Sequence, residues 1–184
     1  MNYKRQHIHS LPKGDVHSHF HLSASASPLK EKYPEFNISA PQNYNGFDGL
    51  MSLIEKNVNP TLTSSKVVID LTGIGIQSSL ADNVSFLEAS VDIHLYKHFN
   101  HSIEEFIKAL DQLKIKYQDQ IDLRPEVGIN RQSPEESIHK ITIQCKDSKV
   151  FNCIDIYGSE NEKDLHPFQE VYSTPNEMKM HRPF

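Results

Sequence analysis

Apolar positions along the chain follow two rhythms, one helical and one extended. Phe47, Leu50, Met51, Ile54 and Val58 recur at i, i+3, i+4, i+7 and i+11, on one face of a helix that Pro60 ends. A second helix is expected from Ser64 or Ser65 to Asp82, with Val68, Leu71, Ile74 and Leu80 inward. Gly73 and Gly75 weaken it by about 1 kcal/mol each relative to Ala. Ile103, Phe106, Ile107, Leu110, Leu113 and Tyr117 mark a third helix, opened by a capping box of Ser102 and Glu105. Ser133-Pro134-Glu135-Glu136 reads as a further start, with Ser as N-cap, Pro at N1 and Glu at N3, for a helix reaching about Asp147. A last helix is expected over 164–179, broken near Pro175. Between these lie strand-like runs at 14–20, 84–93, 121–129 (interrupted by Pro125) and 150–157. Residues 1–13 read as irregular, and 22–46, with Pro28, Pro34 and Pro41, as a loop with one helical turn at 28–33.

Strands alternating with helices imply an α/β fold of parallel strands joined by helical crossovers. Four strands can make an open doubly wound sheet, whereas a closed (β/α)8 barrel needs about 250 residues. No repeat, low-complexity tract or linker divides the 184 residues, so one domain is expected. Composition narrows the function classes. A net charge of −5 argues against a phosphate-backbone binder. No apolar run approaches the ~18 residues of a membrane span, and the first residues hold no signal-like apolar stretch, so the expected compartment is the cytoplasm. Cys145 and Cys153 form neither a CxxC pair nor a disulfide framework, and read as buried small side chains.

Eleven histidines are present, and His7, His9, His17, His19 and His21 crowd the first 21 positions. His17 and His19 stand at i and i+2, which in a strand is one face. Two neutral imidazoles so placed can converge on one cation, with Zn²⁺ the natural choice. Taken alone, the same pair also fits two exposed polar residues in a loop. His7 and His9 read as surface residues, and His94 and His98 as a solvated i, i+4 pair. Gly73-Ile74-Gly75 is no dinucleotide fingerprint, since no strand precedes it and Ser78 occupies the place of the third glycine. The acidic stretch from Glu160 to Asp164 reads as a solvated loop, and Asp122 and Arg124 alternate on the third strand, where they could pair.

The wording around the histidine pair adds to this. Leu11-Pro12-Lys13-Gly14-Asp15-Val16-His17-Ser18-His19 resembles the opening motif of the adenosine deaminase family, L-P-K-x-[DE]-L-H-x-H. Val84 to Asp92 resembles that family's second strand, with Glu88 at its acidic position. Ile154-Asp155-Ile156-Tyr157-Gly158-Ser159-Glu160 resembles its D-L-x-G-x-E segment. The resemblance implies the first half of a (β/α)8 TIM-type barrel, truncated within a metal-dependent hydrolase domain. It implies one Zn²⁺ with His17 and His19 as first ligands, and hydrolytic loss of ammonia from a purine. It implies Gly158 beside the purine and His21 at the position that helps hold the sugar. The family's third ligand and proton-shuttle glutamate lie in an H-x-G-E segment. His181 matches that histidine, but Arg182, Pro183 and Phe184 follow it, so no catalytic glutamate is identified.

The expectation is therefore a zinc-dependent deaminase for a purine nucleoside or related amine, catalytically incomplete at this length. Its partner would be a small-molecule substrate, not nucleic acid or membrane. Its open sheet edges invite self-association. Two other readings stay open: a non-catalytic half-barrel that self-associates, and an amidohydrolase for a different amine or amide.

Overall fold

A computed structural model describes residues 3–36, 43, 45–158, 168–169 and 179–180. In chain order it holds α1 (Tyr3–Ser10), β1 (Lys13–His19), α2 (Ala26–Lys32), α3 (Gly46–Leu53), α4 (Ser65–Ala81), β2 (Val84–Asp92), α5 (Ile103–Tyr117), β3 (Asp122–Asn130), α6 (Glu135–Asp147), β4 (Cys153–Tyr157) and the two-residue β5 (Lys179–Met180). The strands form one sheet in the order β1-β2-β3-β4-β5, and every neighbouring pair is parallel. The fold is α/β, with the topology of the first half of a (β/α)8 barrel.

Strand alternation gives the sheet two unlike faces. Leu87, Ala89 and Val91 of β2, Leu123, Val127 and Ile129 of β3, and Ile154 and Ile156 of β4 are all buried. They share one core with Val68, Leu71 and Ile74 of α4 and Phe106, Leu110 and Leu113 of α5. Each fully buried side chain of this size stabilises the fold by about 1.5–3 kcal/mol. The alternate positions are polar: Glu88, Ser90 and Asp92 on β2, Arg124 and Glu126 on β3, Cys153, Asp155 and Tyr157 on β4. The helix-covered face carries stability, and the polar inner face is left for chemistry.

Several local expectations change. Residues 3–10 are helical rather than irregular, and the turn expected at 28–33 is the full helix α2. The helix expected over 47–58 is divided: α3 stops at Leu53, a wider turn spans 54–58, and a 3-10 turn holding Pro60 follows. α4 starts at Ser65, within the expected bounds, and Ser64 caps it by accepting the Val67 N–H. At the start of α6, the side chains of residues 135–138 lie outside the described residues. Pro134 is the extended flanking residue, and the Ser133 hydroxyl meets His94 Nε2 at 2.5 Å. Pro125 does not break β3. Its carbonyl accepts from Asn152 N–H at 2.8 Å, and a strand residue's N–H and C=O share a side, so the missing donor faces β4 where pairing starts only at Glu126. Arg124 pairs with Asp122 at 2.8 Å and lies 3.7 Å from Glu88. Both cysteines are buried and free. The helix expected over 164–179, the acidic loop and His181 lie outside the described residues, apart from 168–169 and the β5 position Lys179.

Candidate metal centre at the carboxyl end of the strands

β1 is not a regular strand. Asp15 pairs with Leu87 and Ser18 with Ala89, so three steps on β1 match two on β2. One extra residue makes a bulge, a feature that re-aims side chains. It offsets the opposite shift between Lys13 and Gly14, where β2 carries the extra residue and which by itself would set His17 opposite Ala89, on the helix-covered face. The bulge puts Ser18 there and His19 opposite Ser90, so that His17 and His19 both belong to the inner face. Asp15 supports the bulge by accepting the His17 backbone N–H at 3.2 Å.

The two imidazoles lie close, with ring centroids 5.2 Å apart and an interplanar angle of 83°. His19 also meets the Tyr157 ring edge-on at 5.5 Å. Asp155, two residues earlier on β4, joins them: one ligand atom each from His17, His19 and Asp155 lies within 4.8 Å of the others. Burial lowers the pKa of His19, as does His17, while the Asp155 and Asp92 carboxylates pull it upward. The net direction favours neutral imidazole, the form that ligates a metal. This donor set, two imidazoles and a carboxylate, suits Zn²⁺.

The surroundings are also arranged. Asp92, at the end of β2, accepts the His94 backbone N–H at 2.8 Å and hydrogen-bonds the Tyr157 hydroxyl. Burial, followed by Asp92 and Asp155, pushes the Tyr157 pKa up, so the phenol keeps its proton. His21 sits in the 3-10 turn Phe20–Leu22 and is buried. Burial brings its pKa down to about 4 against the opposing pull of Asp92, which makes it a neutral polar group. Gly75 of α4 holds that turn in place: a Cβ there would come 3.0 Å from Phe20 O and collide with Ser23 Oγ. Gly158 follows β4 with φ +110°, a conformation that L side chains rarely adopt, beside Asn130 Oδ1.

Of the residues singled out in the sequence, His17, His19, His21 and Gly158 thus all lie at the carboxyl end of the parallel strands, the end where sites of this architecture form. His181 is outside the described residues. His94 and His98 are half-buried rather than solvated. Asp155 was not singled out as a ligand, although an aspartate between two core isoleucines on a strand is a signal of an inward polar position. A cavity of about 390 Å³ lies at the opposite end, lined by Ser85, Lys114, Gln118, Asp119 and Asp122, away from this cluster.

No family model matches the chain. A Treponema pallidum protein assigned as an adenosine/adenine deaminase is 26% identical over 167 residues, covering 91% of this chain and 56% of the relative. Among solved structures, a zinc-bound amidohydrolase from Burkholderia ambifaria matches with a TM-score of 0.73 at 16% identity, over 94% of this chain and 51% of that one. The N6-methyl-AMP deaminase of Arabidopsis thaliana matches with a TM-score of 0.70 at 20% identity, over 95% and 58%. Adenine deaminase from Arthrobacter aurescens gives 0.68 at 14%, over 88% and 53%. The chain spans just over half the length of these proteins. Its sequence and fold are similar to part of deaminase-type amidohydrolases, as the motif resemblance implied.

Proposed function

We propose that this chain forms the front half of a zinc-dependent deaminase-type hydrolase, a single domain acting in the cytoplasm on a purine nucleoside, nucleotide or related amine. The observation that carries the reading is the meeting of His17 and His19, ring centroids 5.2 Å apart, on the polar face at the carboxyl end of the sheet. These two rings would hold the metal. Bound there, zinc would lower the pKa of a coordinated water toward about 7.

The chain's own residues have separable tasks. Burial keeps His19 neutral, and the Tyr157 ring fixes its orientation. Asp92 in turn holds the Tyr157 hydroxyl. His21 supplies a neutral polar wall for the substrate. Gly158, lacking a side chain, admits the flat face of a base close to the backbone after β4. No described residue is assigned as the proton shuttle, so this half contributes metal and substrate positioning, and turnover belongs to the complete barrel. A purine amine is favoured over other amines because the Treponema pallidum relative is assigned as an adenosine/adenine deaminase, the Arthrobacter aurescens structure is named adenine deaminase, and an Arabidopsis structure is an IMP complex.

The test begins by reading the gene past codon 184. The protein encoded by the full reading frame is then loaded with Zn²⁺ and assayed for ammonia release from adenosine, adenine and N6-methyl-AMP. Release from at least one substrate, lost in His17→Ala, is expected. A frame that ends here, with a chain that binds neither Zn²⁺ nor purines, would overturn the reading in favour of a non-catalytic half-barrel.

A further inference from the structure

We infer that Asp155 is the third protein ligand of this centre, so that a two-histidine, one-carboxylate set is complete within residues 1–158. The inference rests on the reading of His17 and His19 as metal ligands.

Geometry is the first support: the ligand atoms of the three residues lie within 4.8 Å of one another. The second is independent of distance. Asp155 is only 5% exposed, and its Oδ2 has no hydrogen-bond partner among the described residues. A buried carboxylate without a donor or cation is costly, and proteins resolve that cost by pairing it or by coordinating a metal. The third support is elimination among the acidic groups of the same face. Asp92 is committed to the His94 N–H and the Tyr157 hydroxyl. Glu126 accepts the Cys153 thiol at 2.8 Å through Oε1, Glu88 lies beside Arg124, and neither joins the cluster of ligand atoms that His17 and His19 form with Asp155. Asp155 is the carboxylate that faces the histidines.

The donor set also selects the cation. Two imidazoles disfavour Ca²⁺ and Mg²⁺, which take oxygen ligands. Three protein ligands from N and O donors are the usual complement of a catalytic zinc site, with one position open. Because β1 and β4 are the outer members of the four longer strands, a shared ion would also tie the two sides of the half-barrel together.

Zn²⁺ binding to the full chain is measured by competition with a chromophoric chelator for wild type, Asp155→Asn, His17→Ala and His181→Ala, with far-UV circular dichroism as the folding control. Asp155→Asn and His17→Ala should each weaken binding by at least about 10–100-fold, the loss that even an outer-sphere partner produces. His181→Ala should leave it unchanged. X-ray absorption on the zinc-loaded wild type should show two imidazoles with oxygen donors, and this decides the matter alone if Asp155→Asn fails to fold. Unchanged affinity in Asp155→Asn, or three imidazoles on the ion, overturns the inference. If His17→Ala still loses zinc in that case, the proposed function stands without Asp155; if it does not, both fall.

Discussion

Three donors converge on the carboxylate of Asp70 in α4: Lys32 at 2.8 Å, Lys66 at 2.6 Å and the Tyr33 hydroxyl at 2.5 Å. They tie α2 and the residue after it to α4, which packs beneath the turn that carries His21. Burial opposes ionisation of Asp70, but the donors outweigh it and hold its pKa down at about 2. The folded value is below the unfolded value of about 3.9. The group therefore adds stability above pH 3.9 and loses it as pH falls through about 2. Asp70→Asn should cost about 1–2 kcal/mol at pH 7, and the gap to wild type should narrow from pH 4 toward pH 2. Urea unfolding across that range measures both. At this scale the sequence shows only what is local. The Lys66–Asp70 spacing of i, i+4 is visible in it, whereas Tyr33 and Lys32 are brought in from a distant segment. In the same way the His17–His19 spacing is legible, but Asp155 is not, because no local window tells which residue of a strand faces another strand that is not its neighbour.

Elements were more legible than their boundaries. The capping box before α5 is half realised: Ser102 Oγ accepts the Glu105 N–H at 3.2 Å. The Glu105 carboxylate does not return to the Ser102 N–H, which donates instead to Phe99 O at 2.8 Å. Glu105 accepts from Asn100 Nδ2 at 3.0 Å. Ser102→Ala should therefore cost about 1 kcal/mol, and Glu105→Ala less, because its partner is a surface amide; thermal unfolding of the two variants gives the order. The α6 start adds what no local pattern shows: His94, folded over from the end of β2, meets the Ser133 hydroxyl at 2.5 Å. Helix α1 is not legible in the sequence because its described side chains, His7 to Ser10, are exposed, so no apolar stripe announces it.

On the scale of the whole molecule, the order and direction of the strands were readable because helical and extended rhythms alternate without exception from β2 to β4. What covers the sheet edges was not. β1 has a partner on one side only among the described residues, and Ile8, Leu11 and Val16 are 59%, 46% and 55% exposed in and just before it. An uncovered parallel edge with apolar neighbours favours association. Sedimentation velocity on the isolated chain should show species larger than a monomer whose share rises with concentration, and Val16→Lys should reduce that share without lowering Zn²⁺ affinity. No helix among the described residues is long and apolar enough to cross a membrane.

The bulge in β1 has a further consequence. It makes the chemistry of this half-barrel a matter of arithmetic. Between Lys13 and Gly14 the partner strand counts one residue more, between Asp15 and Ser18 β1 does, and only because the two cancel do the imidazoles look into the barrel rather than out toward the helices. A deletion of one residue there would preserve both histidines, their spacing and nearly all of the composition, yet turn the pair to the greasy side of the sheet. Substitution would wear such a site down by degrees. A change of parity would switch it off in one step.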